Sequence, residues 1–312
     1  MSCRIPESNA YLSHLAPTPL IPVKVNEGPA IWCKLEFLNP SGSTKDRIAR
    51  FILAKAWREG VLSTEHTVIE ASSGSTSIAM ALVCAQLGVR FTAVMPEGVS
   101  NERVLMIRAY GGEIRLTPKE LGIHGAIAET ERIAREIPAF LPRQFANMDN
   151  ATSHRVTTAR EILDQIPGGI VDAVASGVGT GGTLVGLHQG FQDAGCSVRP
   201  FHAKPVMLSG SAAPEIECCS FSGRIPGVVE CVSTIFRAEE MPGLEVIEIR
   251  DEEALKTTRA LIKLGFPVGP SSGLNYLAAQ HAASLIGGQN PQVVTVFADR
   301  MERYFTTELF KS

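Results

Sequence analysis

Short runs of β-branched and apolar residues alternate along the chain with longer stretches in which apolar positions recur every three or four residues. "TVIEA" (67–71), "VRFTAVMP" (89–96), "EIRLT" (113–117), "VDAVASG" (171–177), "LEVIEIR" (244–250) and "PQVVTVFAD" (291–299) read as strands. Between them, "STSIAMALVCAQLG" (75–88), "NERVLMIRAYGG" (101–112), "HGAIAETERIAREI" (124–137), a segment from about 184, and "DEEALKTTRALIKLG" (251–265) read as helices, several closed by glycine. An earlier helix is marked by Ile48, Phe51, Ile52 and Ala56 on one face, with Ser43 or Thr44 as cap and Gly60 as stop. Strands alternating with helices of this length predict βαβ units and an α/β fold of open, mostly parallel sheets. The stretch 201–242 is less regular, with one strand and much loop. Turn formers cluster in "ANMDNATS" (146–153), where a domain change is expected.

In open α/β sheets, ligands bind at the carboxyl ends of the strands, so the loops that follow strands carry the chemistry. "SGVGTGGTLVG" (176–186) follows one strand and opens a helix. Its glycines allow tight turns that aim successive N–H groups at an anion, for which a phosphate is the natural guest. Gly177, Gly179 and Gly182 also satisfy G-x-G-x-x-G, so a dinucleotide is a second reading and a structural turn a third. No acidic residue stands about 20 positions on, where a ribose contact would need one. "EASSGSTSIA" (70–79) places Ser72, Ser73, Ser75 and Thr76 around Gly74, ahead of a helix. Hydroxyls and free amides there attract a carboxylate, whereas an ordinary helix cap needs only one of them. "GPSSGLNYLAA" (269–279) offers a serine either as cap or as a hydrogen-bond partner for a cofactor ring nitrogen.

Lys45 sits in "NPSGSTKDRIAR" (39–50), in the first turn of a predicted helix. A cation is disfavoured at that end of the helix dipole, which favours a neutral amine able to attack an aldehyde. The alternative is a solvated lysine paired with Asp46 or Glu36.

Composition narrows these readings. The 312 residues are enough for about two domains, and 45% apolar with 20% charged residues is ordinary globular usage. A net charge of −3, with no basic block, gives no sign of a nucleic-acid partner. No apolar run reaches membrane-spanning length, and the first residues lack the charged and apolar regions of a secretory signal. Seven cysteines without a C-x-x-C pair point to a reducing, cytoplasmic compartment and away from a disulfide framework or zinc. No histidine spacing fits a metal site.

"NPSGSTKDRIA", "SSGSTSIA", "MPEGVSNERV", "GIHGAI", "QFAN", "TTAREI", "GVGTGGT", "GPSSG" and "DRMERYFTTELF" occur in the order found in the cysteine synthase and cystathionine β-synthase family. From about Thr18 to Phe310 the chain resembles these pyridoxal 5′-phosphate enzymes of fold type II. The resemblance implies two open, twisted, mostly parallel sheets flanked by helices, similar to the β subunit of tryptophan synthase. It implies a smaller, mobile domain over 46–150 on the substrate-carboxylate side, and a larger one over 151–312 with 1–45 on the phosphate side. Lys45 would form the cofactor aldimine. Gly179, Thr180, Gly181, Gly182 and Thr183 would hold the phosphate, and Ser271, rather than Ser272, would face the pyridine nitrogen. Ser72, Ser73, Gly74, Thr76 and Gln144 would hold the substrate carboxylate.

The implied reaction is β-replacement on a β-substituted L-amino acid of the O-acetylserine or O-phosphoserine type, through an α-aminoacrylate. β-Elimination, as in a cysteine desulfhydrase, is the close alternative. A dinucleotide-dependent dehydrogenase and a catalytically silent binding partner are more remote ones. A homodimer is the family expectation. The chain departs from the family around the substrate. Ser75 replaces an asparagine that contacts the cofactor, and Ile123, with His124 beside it, replaces a methionine. "VMLSGS" stands in place of a "VEP" segment, and Pro270 replaces an isoleucine. Arg224, in a variable loop, is a surface residue by default and a partner for a substrate phosphate as the alternative. His154 matches a family position and reads as structural.

Overall fold

The computed structural model describes residues 16–25, 28–72, 74–206, 224–228, 232–288 and 290–311. The chain divides into two compact units, one built on Asn39–Asp149 and the other on Pro17–Leu38 with Asn150–Ser312. The divisions fall after Leu38 and after Asp149, where the sequence reading put them after 45 and 150. Asn39–Lys45 goes with the first unit because its turn is tied to the helix that follows. The Ser41 amide and hydroxyl donate to the Asp46 carboxylate at 2.9 and 2.5 Å.

The first unit is a wholly parallel sheet of four strands, β3 (Thr67–Ala71), β4 (Arg90–Pro96), β5 (Glu113–Thr117) and β6 (Ala139–Phe140), in the order β5–β4–β3–β6. Its helices are α1 (Lys45–Arg58), α2 (Ser75–Leu87), α3 (Asn101–Ala109) and α4 (Gly122–Ala134). Every residue of β3 is buried, as a central parallel strand covered on both faces requires. α2 is apolar nearly all round and is buried at Ile78, Ala79, Met80, Ala81, Val83, Cys84 and Leu87. Its stop, Gly88, takes the left-handed conformation with φ 67°. α1 buries Ile48, Ala49, Ile52, Leu53 and Ala56; Phe51, read from the sequence as part of that face, is half-buried. Gly60 follows the end of α1 with φ 72°. Leu53, Val68, Ile78, Met80, Phe91 and Ile107 belong to one apolar core.

In the second unit six strands run in the order β1–β2–β10–β7–β8–β9. They are β1 (Leu20–Val23), β2 (Ile31–Lys34), β7 (Ala173–Gly177), β8 (Arg199–Val206), β9 (Glu245–Arg250) and β10 (Val293–Val296). Only β1, paired with β2, is antiparallel. Side chains alternate between two cores, Ala173, Ala175 and Val293 on one face and Val174 and Val294 on the other. The helices are α5 (Asp149–Ser153), which passes through a π turn (His154–Thr158) into α6 (Ala159–Gln165), then α7 (Gly182–Asp193), α8 (Asp251–Lys263) and α9 (Pro270–Ile286). Pro270 is the first residue of α9, a position that suits its fixed φ and missing N–H. Ser271 and Ser272 therefore lie inside the first turn, and the cap is Gly269, not a serine.

Candidate active site

In the first unit the hydroxyl-rich loop lies between the carboxyl end of β3 and the start of α2, and no acid sits in the first turn of that helix. Ser72 is buried; its hydroxyl accepts the Gly74 amide at 3.2 Å, and its carbonyl accepts the Ser77 hydroxyl at 3.2 Å. The Thr76 hydroxyl donates to Gln144 Oε1 at 2.6 Å, and Gln144 Nε2 donates to the Ala71 carbonyl at 2.7 Å. The structure thus brings Ser72, Gly74, Ser75, Thr76 and Gln144 into one cluster at the end of β3. Ser73 lies outside the described residues. A Cβ at Gly74 would stand 3.0 Å from Arg103 Nε, so glycine lets a buried guanidinium lie directly against this loop. Lys45 is the first residue of α1 and is half-buried; its amide donates to Ser43 Oγ at 3.2 Å. The helix cap is Thr44, without a side-chain hydrogen bond.

Beneath the loop, Glu70 is fully enclosed. Its carboxylate accepts the amides of Ala71 at 3.0 Å and Gln144 at 3.2 Å, and the Arg143 amide adds a favourable dipole. Desolvation dominates over these three contacts and pushes its pKa up to about 8.

In the second unit the glycine loop runs from the end of β7 into α7, whose first turn also lacks an acid. Gly181 has φ 81°, a conformation few other residues adopt. A Cβ at Gly179 would collide with the Gly227 carbonyl, at Gly181 with Phe236, and at Gly182 with the Asn150 carboxamide. The hydroxyls of the loop are held from behind. Asn150 Nδ2 donates to Thr180 Oγ1 at 2.9 Å, and the Ser233 hydroxyl donates to the Thr180 carbonyl at 2.5 Å. Thr183 Oγ1 lies 3.2 Å from His154 Nε2, whose Nδ1 lies 3.0 Å from Thr158 Oγ1 across the π turn. At the start of the loop the Gly177 amide donates to Asn275 Oδ1 at 2.7 Å, and Asn275 Nδ2 donates to the Val296 carbonyl at 2.8 Å. A bare backbone cradle at a helix N-terminus, free of acids and supported by amides and hydroxyls, fits a phosphate.

Ser272 is fully buried, and its hydroxyl accepts the Ala298 amide at 3.2 Å, while Ser271 is half-buried. Arg224 pairs with Glu308 at 2.7 Å and with Glu252 at 3.5 Å, which matches its default reading as a surface residue. The stretch 207–211 of "VMLSGS" and the adjacent Cys218 and Cys219 lie outside the described residues. Among the described residues Cys33, Cys84 and Cys196 are free thiols, no cluster of His, Cys, Asp and Glu could hold a metal, and no helix is long and apolar enough to cross a membrane.

Residues 11–299 match the family model of pyridoxal-phosphate dependent enzymes, and the chain belongs to that family. It is an enzyme whose cofactor is pyridoxal 5′-phosphate, which overturns the dinucleotide reading of the glycine loop. The chain is 36% identical over 300 residues to cysteine synthase B of Campylobacter jejuni subsp. jejuni, covering 94% of this chain and 95% of that protein. Its structure is similar to a hydrogen sulfide-producing enzyme from Fusobacterium nucleatum (TM-score 0.87, 29% identity, 98% of this chain and 92% of that one). It is also similar to an O-acetylserine dependent cystathionine β-synthase from Helicobacter pylori (TM-score 0.84, 31% identity, 96% of this chain and 98% of that one). Fold type II, with two open sheets flanked by helices, is the architecture expected from the sequence.

Proposed function

We propose that the chain is a cysteine synthase-type enzyme. It would take a β-substituted L-amino acid of the O-acetylserine or O-phosphoserine type and exchange the β-substituent for a sulfur nucleophile. The observation that carries this reading is the identity to cysteine synthase B along 94% of the chain. Lys45 would hold the cofactor covalently through Nζ and, once displaced by the substrate amine, move the α-proton. Gly179, Thr180, Gly181, Gly182 and Thr183 would hold the phosphate, and Ser271 would face the pyridine nitrogen. Ser72, Ser73, Gly74, Thr76 and Gln144 would hold the substrate carboxylate. When bound, pyridoxal phosphate supplies an electron sink for the charge left at Cα. Ser75, shorter than a carboxamide, would reach the cofactor oxygen through a water. The chain would act as a cytoplasmic homodimer.

The similarity to a hydrogen sulfide-producing enzyme supports a second reading, β-elimination. Incubation with O-acetylserine, O-phosphoserine, serine or cysteine, with sulfide and other nucleophiles supplied, separates the two. A new amino acid supports replacement, and pyruvate alone with every nucleophile sinks it. Lys45→Ala is expected to abolish turnover while the fold survives, as read by circular dichroism; normal turnover in that variant refutes the assignment of Lys45.

A further inference from the structure

Glu70 is the one ionisable residue in the strand "TVIEA", and it is enclosed on all sides. An apolar side chain there would complete the core. Instead its carboxylate accepts two backbone amides, its neighbour's and that of Gln144, with the Arg143 amide acting on it beside them. The last two come from a segment about 70 positions away in sequence, and their approach has a backbone signature. Arg143 has φ 54° and is the only non-glycine residue with positive φ among the described residues. Its own side chain does not demand this, since it is exposed and reaches Glu131 at 2.9 Å. Arg143 opens a turn, its carbonyl accepting the Ala146 and Asn147 amides at 2.9 and 2.8 Å, and successive N–H groups in such a turn make an anion nest. Here the anion belongs to the chain itself.

The position of the nest gives it a purpose. Gln144 donates its amide to Glu70. With its carboxamide it accepts the Thr76 hydroxyl and donates to the Ala71 carbonyl. The backbone of Gln144 is therefore pinned to the end of β3, and its side chain is aimed at the loop that follows β3. We propose that Glu70 is a positioning residue for the substrate carboxylate: by filling the Arg143–Gln144 nest it fixes the Gln144 carboxamide against Thr76. This deepens the reading of the Ser72–Thr76 loop given above and rests on it. Glu70 touches no substrate and acts only through Gln144.

The test uses the pyridoxal phosphate-loaded enzyme at pH 8.5. L-Alanine, which has no β-leaving group, is titrated against the cofactor absorbance, so that binding is read without turnover; kcat and KM with the best substrate are measured beside it. Three variants are compared: Gln144→Ala, Glu70→Gln, which turns a donor toward one of the amides, and Arg143→Val, whose β-branched side chain resists the left-handed conformation without touching the core. Each is expected to weaken L-alanine binding about tenfold, the effect of a hydrogen bond lost to a charged group. KM should rise in parallel and the cofactor should be retained, and in Glu70→Gln and Arg143→Val kcat should stay within twofold. Weakened binding in Gln144→Ala together with wild-type binding in Glu70→Gln and Arg143→Val overturns the positioning role and leaves the carboxylate reading standing. Wild-type binding in Gln144→Ala overturns that reading and the proposal with it. A Glu70→Gln protein that unfolds or sheds cofactor while Arg143→Val binds normally makes Glu70 a structural residue and also overturns the proposal.

Discussion

Glu70→Gln also makes a prediction about stability that is independent of substrate. Burial raises the carboxyl of Glu70 from 4.5 to about 8 in the folded chain. In the unfolded chain it ionises near its ordinary value. Between those two values the folded state holds a proton that the unfolded state has released, so stability falls as pH rises. The contribution is fully present below about pH 4.5 and is lost as pH passes about 8. At about 1.36 kcal/mol per pH unit, the gap from 4.5 to about 8 corresponds to about 5 kcal/mol. Other groups titrate over the same range, but Glu70→Gln removes this one alone, so the quantity to follow is the difference between wild type and variant. The chain has two tryptophans, Trp57 packed on the core of the first unit and Trp32 on a core of the second. In a Trp32→Phe background, Trp57 fluorescence reports unfolding of the unit that contains Glu70. Urea unfolding at pH 5, 6, 7, 8 and 9 should show the wild-type advantage shrinking by about 4 kcal/mol between pH 5 and 8 and levelling off above. Two parallel stability curves over that range would refute the reasoning.

Two further perturbations test the other elements. Gly182→Ala places a methyl group where the Asn150 carboxamide supports Thr180; overpacking of about 1–3 kcal/mol should loosen the phosphate cradle. The readout is faster loss of cofactor absorbance on dialysis with an unchanged circular dichroism spectrum, and retention equal to wild type counts against the cradle. Lys34, fully buried in the second unit, pairs with Glu161 at 2.8 Å and donates to the Thr18 carbonyl at 2.5 Å. Lys34→Met should cost about 3–5 kcal/mol by stranding Glu161. Lys34→Met combined with Glu161→Leu should recover part of that loss in thermal unfolding; no recovery shows that packing, not the stranded charge, sets the cost.

The parts of the fold that the chain announces are those whose signal is local. Alternating strands and helices, the glycine after α2 and the bare loop before α7 follow from backbone requirements within a few residues. β6, only two residues long, and β1, a short antiparallel edge, carry too little pattern to be read. The division after Leu38 has no signal in the hydrophobic pattern, because the tie between Ser41 and Asp46 is a side-chain choice, not a periodicity. The supporting residues were missed for a related reason. Gln144 and Glu70 are 74 positions apart, Asn150 and Thr180 are 30 apart, and Asn275 and Gly177 are 98 apart. Spacing along the chain says nothing about such pairs. The available hint was chemical: a glutamate inside a buried strand and an asparagine in the middle of an apolar helix each need a partner in the interior.

That hint separates two kinds of buried polar residue. Lys34 and Glu161 neutralise each other at 2.8 Å. Glu70 instead has no opposite charge among the causes acting on its carboxyl, and the segment that supplies its Gln144 donor is entered through Arg143 in a left-handed conformation. Both features cost stability, and an alanine or valine at 70 would remove the first and relax the need for the second. A fold selected for stability alone has no use for the arrangement. It makes sense where the direction of the Gln144 carboxamide matters more than a few kcal/mol of unfolding free energy, which is how strained backbone and a buried carboxyl without a counter-charge come to gather beside a binding loop. The same carboxyl should therefore show both effects at once: replacing it with an amide should lessen the loss of stability at high pH and weaken the hold on the substrate carboxylate. A variant that improved both, or harmed both, would break the link between strain and function on which this reading of the first unit depends.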